Sequence, residues 1–346
     1  MTDATRGAAN SHPHARQSSN WVRNSVGIFI SAACLGFIAW RINLDEVVSA
    51  ISNFQWVWLT LGIASLALGY FARILRWSSL LRAAGAHVPA SKCAAPFMAS
   101  IALNNTLPMR LGDVVRALVF PQAIGIGRIV AMGSLVMERL VDLLTLLACL
   151  AIGLALTANA QLPSWLVGTA LGLAATGGIF LIMVFLFSGR LSRWAGGRVH
   201  KAANSKRQHI FHALRDLLEG FESMSRIPVL LALFLLSMLV WVGEAGLFWA
   251  VLRGQGLNAG AASAVIVMTI ATLSTLVPSS PGYVGPFHLA AFSAVSMLGG
   301  TSAQAASFAV LAHLGVWLPT TVAGALAILF NPQLFGRAKA MAVEKP

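Results

Sequence analysis

The chain has 346 residues, of which 57% are apolar, and it carries only 24 Lys or Arg and 11 Asp or Glu, a net charge of +13. A soluble chain carries roughly a quarter charged residues, and no soluble fold could cover its surface with the uncharged stretches 143–189 and 254–336. Composition therefore excludes soluble, secreted, fibrous and disordered classes and predicts an all-α polytopic membrane protein.

Six apolar segments are long enough to cross the roughly 30 Å hydrocarbon core of a bilayer as helices. Residues 1–21 are predicted to form a polar N-terminal tail, 22–330 a single transmembrane domain and 331–346 a C-terminal tail. No small-residue cleavage site follows the first apolar run, so we expect a retained helix. The predicted spans are 22–40, 56–81, 129–156, 165–187, 229–252 and 304–330.

Two further apolar stretches are interrupted and do not fit simple spans. Residues 93–107 would make a helix of about 22 Å, too short to cross, and stop at a proline; residues 259–298 are long but contain several helix breakers. We predict that each stretch forms a re-entrant hairpin. The breakers are Pro108 in the first stretch and Pro278, Pro281, Gly282, Gly285 and Pro286 in the second.

The distribution of Lys and Arg predicts the orientation, because basic residues accumulate in cytoplasmic loops. With both termini in the cytoplasm, the loop 189–226 supplies eight basic residues to that side, and only Arg41 and Arg253 fall outside. This asymmetry of basic residues is kept only if the two hairpins enter the membrane from opposite faces. Within the loop, apolar residues at helical spacing among Lys and Arg predict an interfacial amphipathic helix, whose counter-charge is anionic phospholipid rather than nucleic acid.

The two interrupted stretches resemble each other, which suggests an inverted repeat. Residues 103–117, LNNTLPMRLGDVVRA, and residues 276–290, LVPSSPGYVGPFHLA, each contain an apolar half-helix, a proline, a short turn and a second half-helix. Unwound backbone at membrane depth is tolerated where it lines a cavity. The alternative is that any membrane hairpin needs Pro and Gly, so that similarity alone proves no repeat.

Ionisable and amide groups at membrane depth are costly and therefore indicate a cavity or a partner. The first hairpin carries Asn104, Asn105, Arg110, Asp113 and Arg116, and the i, i+3 spacing of the last two permits a local ion pair. We interpret this group as part of a substrate-binding site. The alternative is a self-neutralising group at the cytoplasmic interface.

A second charged group lies in the third span, as the pattern ERxxD. Glu138 and Asp142 are at i, i+4 beside Arg139, and two carboxylates on one helix face repel unless a cation lies between them. We expect an arginine of the first hairpin as that cation, in either a substrate site or a structural clamp. Arg73 and Arg76 of the second span either meet a lipid phosphate or snorkel to the interface.

The remaining candidates lie in the second half of the chain. Glu244, the one charged residue in 229–252, is either a protonated hydrogen-bonded group or a coupling carboxylate, and His288 is a candidate substrate contact with Pro281, Gly282 and Gly285. No zinc-type spacing, nucleotide loop, GxSxG or HExxH motif occurs, so we expect no metal, no cofactor and no covalent chemistry. The cysteines lack metal spacing and are expected to pack as small residues.

In combination, NNTLPMRLGDVVRA, ERLVD, VPSSPGYVGPFH and the earlier RILRWSSLL resemble the flippase-like transmembrane domain of lysylphosphatidylglycerol synthases and its stand-alone relatives. The resemblance covers about residues 22–330. It implies translocation of an amphipathic lipid between leaflets of the bacterial cytoplasmic membrane; relatives are associated with aminoacylated phosphatidylglycerol and with isoprenoid lipids.

The resemblance also sets limits. Only about 16 residues follow the last predicted span, so we expect no lysyl transfer. Asp113 and His288 stand where relatives often carry Glu, so a preference for a cationic headgroup does not carry over. We expect an anionic or isoprenoid lipid as the substrate, with a homo-oligomer or a lipid-biosynthesis protein as a candidate partner. The alternatives are an enzyme acting on a lipid phosphate and a membrane scaffold.

Overall fold

The computed structural model describes residues 14–157, 205–224 and 226–336, together with scattered positions between 168 and 197. Every regular element in this part of the chain is helical. The helices are α1 His14–Arg41, α2 Leu44–Ser52, α3 Trp56–Ala83, α4 Ala90–Thr106, α5 Leu111–Leu118, α6 Phe120–Ile124, α7 Arg128–Leu156, α8 Ser205–Met224, α9 Ile227–Gly254, α10 Ala261–Ser274, α11 Pro286–Met297 and α12 Ser302–Phe330. Short 3-10 turns, Pro108–Arg110 and Pro281–Tyr283, separate α4 from α5 and α10 from α11.

Four of the predicted spans correspond to helices long and apolar enough to cross a membrane: α3, α7, α9 and α12. The first predicted span lies in α1, which bends by 89° into α2, so the pair makes a fifth candidate. Helix α1 begins at His14, inside the segment expected to be a polar tail. Residues 1–13 and 337–346, part of the loop 189–226 and most of the predicted span at 165–187 lie outside the described residues.

The two helix breaks have the same backbone conformation. Each begins with a proline, which has no N–H to continue a helix, and then places two successive residues in the left-handed region. The φ angles of those residues are 61° and 53° in the first break and 75° and 62° in the second. Three of the four are not glycine, so the two breaks hold strained backbone at equivalent points.

The element order and the packing both repeat. Helices α3, α4, α5 and α7 are followed later by α9, α10, α11 and α12, and the outer members match in length, 28 residues for α3 and α9 and 29 for α7 and α12. Helix α4 packs on α12 as α10 packs on α7, and α5 packs on α7 as α11 packs on α12. The contacts therefore stay the same when the two halves are exchanged.

The repeat is inverted, because α3 and α9 run antiparallel across its centre. A Cβ at Gly62 would lie 3.1 Å from the Cβ of Ala250, whereas Arg76, further along α3, donates a 2.8 Å hydrogen bond to Ser237, earlier in α9. As residue numbers increase along α3, the residues of α9 that they contact have decreasing numbers. This contact pattern supports a true repeat over the alternative of similarity from Pro and Gly alone.

Helix α12 brings the two breaks together. The Trp317 indole N–H donates to the carbonyl of Asn105 at 3.2 Å, and the Asn105 amide donates to Thr320 and Thr321 at 3.0 and 2.9 Å. His313 Nε2 lies 2.7 Å from the carbonyl of Gly282 in the second break. One helix therefore contacts both the end of α4, just before the first break, and Gly282 within the second break.

Candidate functional site

A cavity of about 630 Å³ lies where the two breaks meet α3, α7, α9 and α12. This volume falls within the usual range of about 300–1,000 Å³ for ligand pockets. Apolar residues of α7 and of the second break form much of its wall, among them Val136, Leu143 and Leu276. The charged side chains that line it are Arg73, Arg110, Asp113, Arg139, Asp142 and Glu244.

Asp113 ties three helices of the first half together. Arg139 Nη2 donates to both carboxylate oxygens of Asp113 at 3.0 Å, which joins α5 to α7. The side-chain amide of Asn104 donates to Asp113 Oδ1, and the Asn104 carbonyl oxygen accepts from the Asp113 backbone N–H, each at 3.0 Å. The i, i+3 pair with Arg116 is looser, at 3.9 Å. The alternative of a self-neutralising group does not agree with these contacts, because Asp113 is paired mainly with Arg139 of another helix.

The two carboxylates of α7 do have a cation between them, as their spacing requires. Arg76 is fully buried, with Nη1 2.6 Å from Asp142 Oδ1 and Nη2 3.8 Å from Glu138 Oε1. Arg116, from the first broken helix, lies 3.1 Å from the other oxygen of Glu138. The expected hairpin arginine is thus present, but Asp142 takes a partner from α3. Snorkelling of Arg76 is wrong, because its guanidinium points into the protein.

Arg73 belongs to the site although sequence reasoning left it outside the set of site residues. Its Nη2 donates to Glu244 Oε2 at 2.6 Å, and Glu244 also accepts from Thr272 at 3.1 Å. The guanidinium lies 5.4 Å from the Tyr70 ring centre and 5.1 Å from that of Trp241. Snorkelling of Arg73 does not agree with this geometry, in which Arg73 and Glu244 form an ion pair between the two halves.

The inverted repeat is the signal that could have revealed this pair. Arg73 follows the first residue of α3 by 17 positions (73 − 56), and Glu244 follows the first residue of α9 by 17 positions (244 − 227). The two residues are therefore equivalent members of the two halves. An antiparallel pair of equivalent helices brings equivalent positions near the central crossing into contact.

Arg110 lines two cavities. Its Nη2 donates to Thr275 Oγ1 at 2.9 Å, and its guanidinium lies 5.3 Å from the Tyr283 ring centre. A second cavity of about 660 Å³ lies on the far side of the breaks, against Gly27 and Ile28 of α1, and shares Arg110 and Tyr283 with the first. Arg110 and Tyr283 occupy the third position of their respective 3-10 turns.

Not all predicted site residues line the first cavity. Asn104, Asn105, Arg110, Asp113, Arg139, Asp142, Glu244 and Gly282 do. Three others form a buried layer behind the wall, with at most 2% of each residue exposed: Arg76, Arg116 and Glu138. The guanidinium of Arg116 also lies over two neighbouring aromatic rings, 5.2 Å from the centre of Trp77 and 4.7 Å from that of Phe97.

The second break contributes less than predicted to the first cavity. Pro281 lines the second cavity, and Gly285 packs against α1, where a Cβ would lie 2.6 Å from Ser31 Cα. His288 does not line the first cavity; its ring centre lies 4.6 Å from that of His313, which does. In the described part of the chain, no group of three or more His, Cys, Asp or Glu could hold a metal ion.

Comparison with known families agrees with this architecture. A family model described as "Lysylphosphatidylglycerol synthase TM region" matches residues 24–324. The match includes both halves of the repeat and every charged residue that lines the first cavity. No curated protein matches the chain.

Proposed function

Because the chain belongs to the family of lysylphosphatidylglycerol synthase TM regions, we propose that it moves an amphipathic lipid between the two leaflets of a membrane. The headgroup passes through the first cavity while the hydrocarbon tails remain in the bilayer. The observation that carries this proposal is a charged cavity whose apolar wall is partly exposed at the protein surface. Val136, Leu143 and Leu276 line it and are 44%, 39% and 62% exposed.

The two breaks supply the features that a headgroup path requires. In a bilayer, backbone outside regular helices is tolerated only where it is buried in protein or lines a cavity. We propose that both helix–turn–helix units are re-entrant and that their breaks meet at mid-membrane. Both termini then lie in the cytoplasm of a bacterium, as the distribution of Lys and Arg indicates.

We assign the headgroup contact to Arg110 first, because a guanidinium stays charged and can hold phosphate through two parallel hydrogen bonds. Arg139 also lines the cavity but already holds Asp113. Arg76 and Arg116, which were candidates for the same role, lie behind the wall and balance the carboxylates of α7. Their role in this proposal is to hold the helices of the site in position.

The proposal is tested with the purified chain in proteoliposomes that contain a fluorescent phospholipid, using a membrane-impermeant quencher to follow leaflet exchange. We expect exchange with the wild type and its loss with Arg110→Ala, at an unchanged melting temperature. Arg253→Ala, at the end of α9 and outside both cavities, is the matched control and retains exchange. Wild-type rates in Arg110→Ala would refute the assignment.

The same experiment addresses the enzyme alternative. Mass spectrometry of the lipids after incubation shows whether their covalent structure has changed. Leaflet exchange of an unaltered lipid supports translocation. A new lipid mass without exchange would replace the proposal with an enzyme acting on the headgroup phosphate.

A further inference from the structure

The charges around the first cavity do not balance. Within the described residues, five arginines and four carboxylates line the cavity or lie directly behind its wall, which leaves one positive charge (5 − 4). At membrane depth such a surplus is costly. The arginines are Arg73, Arg76, Arg110, Arg116 and Arg139, and the carboxylates are Asp113, Glu138, Asp142 and Glu244.

The four carboxylates are matched by four arginines, none of which is Arg110. Each carboxylate has a guanidinium nitrogen at 2.6 to 3.1 Å from one of its oxygens. The matched pairs are Glu244 with Arg73 at 2.6 Å, Asp142 with Arg76 at 2.6 Å, Asp113 with Arg139 at 3.0 Å and Glu138 with Arg116 at 3.1 Å. The surplus charge therefore belongs to Arg110.

Arg110 has only neutral partners among the described residues: the hydroxyl of Thr275 and the ring of Tyr283. No carboxylate in this part of the chain lies within 4.0 Å of its guanidinium. Asp113, three residues further on, is already engaged by Arg139 and Asn104. Among the described residues, Arg110 is thus the one guanidinium of the cluster that forms no ion pair.

Among the described residues, Arg110 is also the one Asp, Glu, Lys or Arg that the two cavities share, and the one that lines the second. A headgroup moving from one cavity to the other therefore meets its guanidinium in both. A bound phosphate would compete with Thr275 and Tyr283 for the same N–H groups. The contact of Arg110 with these two residues, which also line both cavities, is thereby replaced by a contact with the substrate.

We propose that Arg110 makes the translocation path selective for lipids whose headgroup carries a net negative charge, such as a phosphodiester, and unfavourable for lipids with a cationic headgroup. The inference rests on the proposed function and specifies its substrate class. An anionic headgroup neutralises the surplus charge of the site, whereas a cationic headgroup adds to it in a medium that screens charges weakly. Bidentate guanidinium–phosphate geometry adds to the preference for phosphate.

The experiment compares three fluorescent lipids with identical tails in proteoliposomes of the full chain: phosphatidylglycerol, phosphatidylethanolamine and lysyl-phosphatidylglycerol, with net charges of −1, 0 and +1. We expect the wild type to exchange phosphatidylglycerol about tenfold faster than the lysyl form, the ratio that one charge-assisted contact provides. Arg110→Gln removes this ratio, Arg110→Lys retains the sign of the preference, and Arg253→Gln leaves the ratio unchanged.

The outcomes separate the two proposals. If the wild type exchanges none of the three lipids, the proposed function fails. If it exchanges all three at equal rates, or favours the lysyl form, translocation stands and the charge selectivity is overturned. The rank order of the three lipid exchange rates in the wild type tests the charge selectivity even if Arg110→Gln does not fold. If Arg110→Gln folds and keeps the tenfold ratio, selectivity arises elsewhere.

Discussion

Replacement of Arg76 by methionine should destabilise the protein strongly. Arg76 is fully buried between Glu138 and Asp142, which lie one turn apart on α7. Methionine keeps most of the side-chain volume but removes the cation. The change therefore isolates the electrostatic role of Arg76 from its packing.

The magnitude follows from the partners that remain. Removal of one member of a buried ion pair costs about 3–5 kcal/mol, because it leaves an uncompensated charge. Glu138 keeps Arg116 at 3.1 Å, and Asp142 keeps Arg139 at 3.6 Å and Arg73 at 4.0 Å. Since both carboxylates retain a cation, we expect the lower end of this range, about 3 kcal/mol of unfolding free energy.

The measurement is equilibrium unfolding in detergent micelles, followed by tryptophan fluorescence. Arg82→Met is the matched control, because Arg82 is exposed near the end of the same helix, and its guanidinium bonds among the described residues only to the backbone carbonyl of Ser78, at 3.4 Å. Surface substitutions of this kind usually stay within about 0.5 kcal/mol. Combining Arg76→Met with Asp142→Asn should restore a large part of the lost unfolding free energy. Equal effects of Arg76→Met and Arg82→Met would refute the network as a structural element.

Two further predictions concern the contact between the halves. Gly243→Val should disrupt the α3–α9 crossing and lower the melting temperature, since a Cβ there would lie 2.7 Å from the Cα of Gly69. Gly36→Ala is the control, because the space around its Cβ is open, and its melting temperature should stay close to that of the wild type. Arg73→Glu and Glu244→Arg should each lower stability and exchange rate, and the double variant should recover part of both, because it restores the 2.6 Å pair in reverse. Additive losses in the double variant would contradict direct pairing.

The long helices could be predicted because hydrophobic length is a local property of the sequence. The predicted spans 56–81, 129–156, 229–252 and 304–330 lie within two residues of the ends of α3, α7, α9 and α12. Both breaks were also predictable from proline and glycine. The early start of α1 and its 89° bend were not, because neither follows from hydropathy.

The composition of the site was predicted better than its pairing. Polar groups at membrane depth indicated Asn104, Arg110, Asp113, Arg139 and Asp142, all of which line the cavity. Their partners depend on which helices meet, and spacing within one helix cannot show this. The i, i+3 pair of Asp113 with Arg116 was suggested by local spacing, yet the shorter contact of Asp113 is to a residue of α7.

The repeat explains both why the pairing of site residues could not be predicted from one helix alone and why the cavity is asymmetric. When the two halves are treated as antiparallel copies, Arg73 is equivalent to Glu244 and Arg110 to Tyr283. The contacts within these two pairs therefore follow from the equivalent positions of their members in the repeat. The charges do not repeat, since the stretch 254–336 has none. The ion pairs of α5 and α7 therefore line the first cavity or lie behind its wall, whereas α11 and α12 add no Asp, Glu, Lys or Arg to it. A site built this way has one part suited to a headgroup phosphate and one suited to apolar groups, although both halves share the same order of helices.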